Sequence, residues 1–202
     1  MAAALAFAAC GSSRSSKTTG VPRGQTEVKL AKYAGTAAVP LKPAPPLALK
    51  DSLGQSVNLK QFRGKAVFVT FIYTHCPDTC PLIVSHLRTA QAELGPEAMK
   101  VQIIAVSVDP KGDTPKTVNR FLKVHQMTGR MEYLVGSRPQ LEKVWSAWYI
   151  VAKTSPKKKY AGLVEHSALI YGISASGKIT TLYPASFVPQ QIIHDAPILA
   201  SE

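Results

Sequence analysis

Residues 66–73, AVFVTFIY, form an unbroken run of β-branched and aromatic side chains. Such a strand has no polar face, so both of its sides must be covered, as in the centre of a parallel sheet. A second run of the same kind, VQIIAVSV, occupies residues 101–108. Between the two, Leu82, Ile83, Leu87, Ala90 and Leu94 recur at helical spacing over Pro81–Leu94, and Gly95-Pro96 ends the pattern. Strand, helix and strand in succession require a layered α/β domain.

The remaining elements are read around that unit. Leu47–Lys50 and Val57–Leu59 flank a turn at Asp51–Gln55 with Gly54 and predict a short N-terminal β-hairpin. Asp113 or Thr114 is expected to cap a helix that starts at Pro115 and runs to about Met127. Glu132–Val135 predicts a short strand, and Ser137 caps a helix over Pro139–Tyr149. His166–Ser174 and Lys178–Tyr183 predict two strands joined through Ser176-Gly177, and Val188–Leu199 a last helix shortened by Pro197. A β-α-β unit followed by a β-hairpin and a helix is the thioredoxin arrangement, here with an inserted helix and strand.

A chain of 202 residues holds one such domain and a tail. Residues 1–9 (MAAALAFAA) precede Cys10 and a Ser-rich stretch, which reads as the remnant of a bacterial lipoprotein signal with Cys10 as the lipidated residue. The segment is short of the about 20 apolar residues that span a bilayer. Residues 11–46 are rich in Ser, Thr, Gly, Pro, Ala and Lys, and are expected to be a disordered, basic tether lying against anionic headgroups. The folded domain is then residues 47–202. The formal net charge of +12 favours anionic partners. No zinc-finger spacing or RNP-like aromatic cluster accompanies it, so no nucleic-acid partner is expected.

Of the three cysteines, Cys76 and Cys80 stand together in Thr74-His75-Cys76-Pro77-Asp78-Thr79-Cys80-Pro81, where the first buried strand meets its helix. Ligand sites of open α/β sheets lie at such strand ends, and a helix N-terminus favours the thiolate. Pro77 suits a first helical position. Residues four apart on a helix face one way with Cβ atoms about 5–6 Å apart. A disulfide needs about 3.5–4.5 Å, whereas a shared metal tolerates more, each thiolate reaching about 2.3 Å. The spacing suits a metal clamp somewhat better than a bridge, although unwinding beside Pro77 and Pro81 leaves the bridge open.

Five histidines are present. His75, His86, His125 and His194 read as surface or packing residues. His166 opens a predicted strand; if that strand runs antiparallel to the first, its start lies at the sheet edge where the first strand ends, and Cys76, Cys80 and His166 converge. Two soft thiolates and an imidazole suit Cu(I), and a distorted set of this kind also accepts Cu(II). Asp109 ends the second strand, placed either to support the histidine from outside the ligand set or to begin the Asp109-Pro110 turn.

Phe71 through Pro81 resembles the signature of the Sco/SenC family, with Thr79 where Val is usual. Val106-Ser107-Val108-Asp109-Pro110 with Asp113-Thr114 is similar to its second motif, and Glu165-His166-Ser167 to its third, where Asp usually precedes the histidine. The resemblance covers about residues 45–200. It implies a thioredoxin-like copper-binding domain with one copper per chain on Cys76, Cys80 and His166. It also implies delivery of copper to, or thiol reduction at, the binuclear copper centre of cytochrome c oxidase. The expected partners are the copper-bearing oxidase subunit, a thioredoxin-type thiol reductase that keeps the pair reduced, and a membrane held through the lipid anchor, on the extracytoplasmic face of a bacterial envelope. The run Lys157-Lys158-Lys159, before His166, bears on partner choice or is simply solvated.

Two other functions fit the same residues. One is a thiol–disulfide oxidoreductase or peroxiredoxin-like peroxidase, with Cys76 and Cys80 as the redox-active pair; the other is a copper or redox sensor.

Overall fold

The computed structural model describes residues 31–154 and 163–202. Its strands are β1 Thr36–Pro43, β2 Ala48–Asp51, β3 Ser56–Asn58, β4 Ala66–Ile72, β5 Val101–Ser107, β6 Met131–Val135, β7 Ala152–Thr154, β8 Val164–His166, β9 Leu169–Ile173 and β10 Lys178–Pro184. The α-helices are α1 Thr79–Glu93, α2 Pro115–Val124, α3 Arg138–Ala147 and α4 Pro189–Ala200. Eight strands form one sheet in the order β1-β10-β9-β4-β5-β6-β2-β3, and β7 and β8 form a separate ribbon.

The thioredoxin-like layering follows from the two apolar runs. All seven residues of β4 are buried, and β5 lies parallel beside it with Ile72 opposite Ser107. The two strands therefore end level, and their following loops emerge side by side. Strand β9 runs antiparallel on the other side of β4, with Thr70 opposite Ile170, so its start reaches the same edge. Phe71, Trp148 and Tyr171 close the core beneath that edge, with ring centroids 5.2–6.1 Å apart. Burying each such aromatic stabilises the fold by about 1.5–3 kcal/mol.

Three expectations are corrected. The folded unit begins at Ala31, not at Leu47. Residues 36–43, read as tether, pair antiparallel with β10, from Thr36 opposite Leu182 to Pro43 opposite Lys178. The preceding segment is pinned to α4: the buried Asp195 carboxylate accepts from Ala34 N at 2.7 Å and Gly35 N at 2.8 Å, and Gln191 Nε2 donates to Ala34 O at 2.7 Å. Gly35 lies so close to Tyr183 that a Cβ there would sit 2.4 Å from the ring. Second, the predicted strand from His166 is broken at Ser167-Ala168: His166 ends β8 and Leu169 starts β9. Third, Pro197 does not shorten α4, which runs on to Ala200 with the proline inside it, at the cost of the hydrogen bond that residue 197 would donate to the Ile193 carbonyl. The remaining helices and the β2–β3 hairpin form where the sequence places them to within three residues, with α2 ending at Val124 rather than near Met127 and α3 at Ala147 rather than Tyr149. Cys10, residues 11–30 and Lys157-Lys158-Lys159 lie outside the described residues. Among the described residues, no helix is long and apolar enough to cross a membrane.

Candidate metal centre

The loop after β4 carries the first cysteine, and the first turn of α1 carries the second. Helix α1 starts at Thr79 with Asp78 as its cap, so Pro77 precedes the helix rather than opening it. Cys76 therefore stands outside the helix and Cys80 inside it. Their approach comes from the turn and not from a shared helix face: Cys76 N donates to Tyr73 O at 3.3 Å, and Cys80 N donates to Cys76 Sγ at 3.3 Å. Both thiols are free and buried, with Cys80 fully enclosed.

This arrangement polarises the pair. The Cys80 thiol donates to Cys76, and His166 and the amides of Cys80 and Asp78 add to it, lowering the Cys76 pKa to about 4. Cys80 is pushed the other way, by holding its proton toward the Cys76 thiolate and by burial. The ionised sulfur is thus Cys76, at the mouth of α1, and Cys80 is its proton-bearing neighbour. Burial raises the neighbouring Tyr73 phenol to about 12, so it stays neutral beside the thiolate.

His166 arrives from the β7–β8 ribbon, where it lies opposite Ala152. Its Nδ1 contacts Ser167 O at 3.1 Å. A carbonyl only accepts, so Nδ1 donates to it, and Nε2 is the ring nitrogen left for a thiol or a metal. That Nε2 faces Cys80 Sγ at 3.7 Å, and the Tyr73 ring stands edge-on to the imidazole at 5.8 Å. Metal bonds of about 2.3 Å to sulfur and 2.0 Å to nitrogen, at a trigonal angle, place the two atoms about 3.7 Å apart. Cys80 Sγ and His166 Nε2 thus stand at the separation that a shared metal sets, with Cys76 Sγ on the Cys80 amide, and two thiols and an imidazole are donors suited to a soft cation.

Asp109 does not support His166. Its backbone N donates to Ser107 Oγ at 3.1 Å and its Oδ1 accepts from Lys111 N at 3.2 Å, so it begins the Asp109-Pro110 turn. The outer partner of His166 is instead the Ser167 carbonyl. Three other histidines take the packing and surface roles expected of them: His86 contacts Phe187 O at 2.8 Å, His125 packs at a tilt against Phe121 with ring centroids 4.3 Å apart, and His194 contacts Asp195 at 2.7 Å. His75 contacts Thr74 Oγ1 at 3.1 Å, near Asp109 and Asp113.

The residue that sequence reasoning missed is Asp113. Thr114 takes the cap of α2, accepting from Thr117 N at 3.2 Å. Asp113 is turned inward and buried, accepting from Thr74 N at 2.8 Å, Ser107 Oγ at 2.6 Å and Tyr133 Oη at 2.9 Å. It ties the loop before Cys76 to β5 and β6. Burial raises its carboxyl above the ordinary carboxylate value, and the three donors offset part of that rise. Its place in the second motif was the available signal.

Comparison with known proteins agrees with this geometry. The family profile described as SCO1/SenC matches residues 40–199. The mitochondrial SCO2 homolog of Bos taurus is 32% identical over 150 residues, 72% of this chain and 55% of that protein, so the chain spans about half the length of this relative. The solved structure of Bradyrhizobium japonicum ScoI with copper bound is 30% identical and superposes with a TM-score of 0.70, covering 78% of this chain and 99% of that one. The structure of BsSco, described through its disulfide switch and as a member of the Sco family of cytochrome c oxidase assembly proteins, is 26% identical with a TM-score of 0.64, covering 80% of this chain and 95% of that one. A matching profile over most of the folded unit, on a thioredoxin-like sheet with the two cysteines and the histidine at one edge, makes this chain a member of the SCO1/SenC family.

Proposed function

We propose that the chain is a copper carrier that binds one copper through Cys76, Cys80 and His166. It delivers that copper to, or keeps reduced the cysteines of, the binuclear copper centre of cytochrome c oxidase. The observation that carries the reading is the meeting of Cys80 Sγ and His166 Nε2 at 3.7 Å, with Cys76 Sγ on the Cys80 amide at 3.3 Å. His166 is 86 residues from Cys80 in sequence, and its approach to the cysteine pair supports a set of donors that Cu(I) prefers. The copper-bound Bradyrhizobium relative supports copper as the cargo, and the oxidase-assembly relative supports the recipient. Anchoring through a lipidated Cys10 fits delivery at the outer face of a bacterial membrane, with a thioredoxin-type reductase restoring the thiols.

The test is copper stoichiometry and affinity of the reduced chain. Wild type should bind one copper, and Cu(II) should give a thiolate-to-copper charge-transfer band. Cys76→Ser and Cys80→Ser should abolish tight binding, and His166→Ala should weaken it. Undiminished affinity in both cysteine variants refutes the assignment.

One observation favours a second reading, thiol–disulfide exchange. The Cys76 pKa lies near 4 with a proton-bearing Cys80 beside it, as in a nucleophile with its resolving thiol. If His166→Ala loses copper but keeps disulfide-reductase activity, reduction of the recipient is the function that this pair performs without metal.

A further inference from the structure

The loops that follow β4 and β5 emerge side by side, and they meet in a second group of donors. His75 from the first loop and Asp109 and Asp113 from the second each offer one ligand atom, and these atoms all lie within 4.8 Å of one another. None of the three belongs to the Cys76, Cys80 and His166 set. Asp113 is 4% exposed, and among the described residues no lysine or arginine pairs with it or with Asp109. Buried charges are ordinarily paired or bound to a metal. Hydrogen bonds from Thr74 N, Ser107 Oγ and Tyr133 Oη hold the Asp113 carboxylate in place, but all three donors are neutral. They take three of the about four lone-pair positions that a carboxylate offers.

The space between the donors is a separate observation. Asp109 Oδ1 accepts from Lys111 N at 3.2 Å, whereas Oδ2 has no hydrogen-bond donor among the described residues. That oxygen turns over Gly112: a Cβ on Gly112 would lie 2.1 Å from it and 3.1 Å from His75 Nδ1. Carboxylate and imidazole therefore converge on one point, which a glycine leaves clear. Gly112 is not in the left-handed region, so space rather than backbone freedom requires it. The ring is able to present a lone pair there: Nδ1 contacts Thr74 Oγ1 at 3.1 Å, and a hydroxyl donates or accepts as needed.

We propose that His75, Asp109 and Asp113 form a second metal site, one for a divalent cation of the zinc class. Two carboxylates and an imidazole suit Zn(II) or Mn(II), while soft Cu(I) prefers thiolates. Bonds of about 2.0–2.2 Å at a tetrahedral angle set donor atoms about 3.4 Å apart. Exposed His75 and half-buried Asp109 close the remaining gap by side-chain rotation, against an Asp113 that stays fixed. The fourth position stays open to water, as in zinc sites with three protein ligands. A cation here neutralises the two carboxylates and ties the loop that leads into Cys76 to the loop after β5.

The experiment titrates Zn(II) alone, by calorimetry, into the Cys76→Ser/Cys80→Ser chain, in which the neighbouring thiols do not compete. One Zn(II) should bind per chain. His75→Ala and Asp109→Asn on that background should each weaken it at least about tenfold, since losing even an outer partner of a ligand costs about 10–100-fold. Asp109→Asn keeps the Oδ1 acceptor of its turn. Gly112→Ala keeps all three donors but fills the space between them, and should weaken binding as much; its methyl meets only the end of the Asp109 side chain and the His75 ring, so the fold is retained. His166→Ala should leave Zn(II) affinity unaltered. On reduced wild type, Mn(II), which prefers oxygen to sulfur, should broaden the amide signals of His75, Asp109 and Gly112 before others, an arm that depends on no variant's folding. Zn(II) affinity unchanged by His75→Ala, Asp109→Asn and Gly112→Ala, or Mn(II) broadening centred elsewhere, overturns the site. Copper binding by wild type is read separately, so either centre fails without the other.

Discussion

Replacing Asp113 by Ala should destabilise the chain more than any change at the surface of the site. The substitution leaves three donors without their acceptor: Thr74 N, the Ser107 hydroxyl and the Tyr133 hydroxyl. A hydrogen bond to a charged acceptor contributes about 1.5–3 kcal/mol, and a buried donor left unpaired costs about 1–3 kcal/mol. The three losses are not equal. Tyr133 Oη retains Ile72 O at 3.3 Å, and the Ser107 hydroxyl can rotate, whereas the Thr74 amide is fixed. Removing the carboxylate also relieves its own desolvation, so the net cost should be about 3 kcal/mol. Urea unfolding of the reduced apo chain at pH 7 measures it. Because Thr74 leads into the Cys76 turn, Cu(I) affinity should fall as well. Asp113→Asn supplies a pH test. The folded carboxyl titrates above its unfolded value of about 3.9. Its contribution is therefore fully present below that value and is lost as pH rises through the folded pKa. The stability gap between wild type and Asp113→Asn should widen as pH is lowered from 7 toward 4. A loss below about 0.5 kcal/mol for Asp113→Ala, the range of ordinary surface changes, would refute the reasoning.

The polarised thiols predict that iodoacetamide at pH 6 labels Cys76 before Cys80, read by peptide mass spectrometry; equal labelling rejects the assignment of the thiolate. For the same reason Cu(I) binding at pH 7.5 should release about one proton, from Cys80, rather than two, as followed with a weakly buffered indicator. Oxidising the pair leaves His166 as the remaining ligand, so a chelator competition should show copper held at least about a hundredfold more weakly, roughly 2.7 kcal/mol. At the other end of the fold, Asp195→Asn should raise hydrogen exchange at the Ala34 and Gly35 amides by about tenfold or more, since each loses a charged acceptor.

The elements that sequence patterning finds are those whose burial is written in local spacing. β4 is buried along its whole length and α1 buries Ile83, Val84, Leu87 and Ala90, so both are legible from composition and period. Strand β1 is not, because nearly every side chain in it is exposed. Its stability comes from backbone pairing with β10, 135–146 residues away in sequence, and from Asp195, about 160 residues from Ala34 and Gly35. β7 and β8, with three residues each, are too short to show a period. His166 was reached through topology, and its level at the sheet edge followed even though its strand did not. Asp113 stayed hidden because Thr114 and Pro115 make a sufficient cap without it, while Thr74, Ser107 and Tyr133, the groups it joins, lie on three separate segments of the chain.

Strand β1 also governs how the molecule behaves in concentrated solution. It covers the outer side of β10, whose residues Lys178–Pro184, KITTLYP, are rich in strand-forming side chains. In its place it offers an edge that carries Pro40, Lys42 and Pro43 and whose pairing slips register between Ala37 and Lys42. Prolines, a lysine and an irregular ladder are the features that keep one sheet from extending onto another. A chain cut at Leu47, where the hydrophobic pattern begins, would retain every residue of the metal centre and uncover β10. It should self-associate through that strand, whereas a chain cut at Ala31 should stay monodisperse.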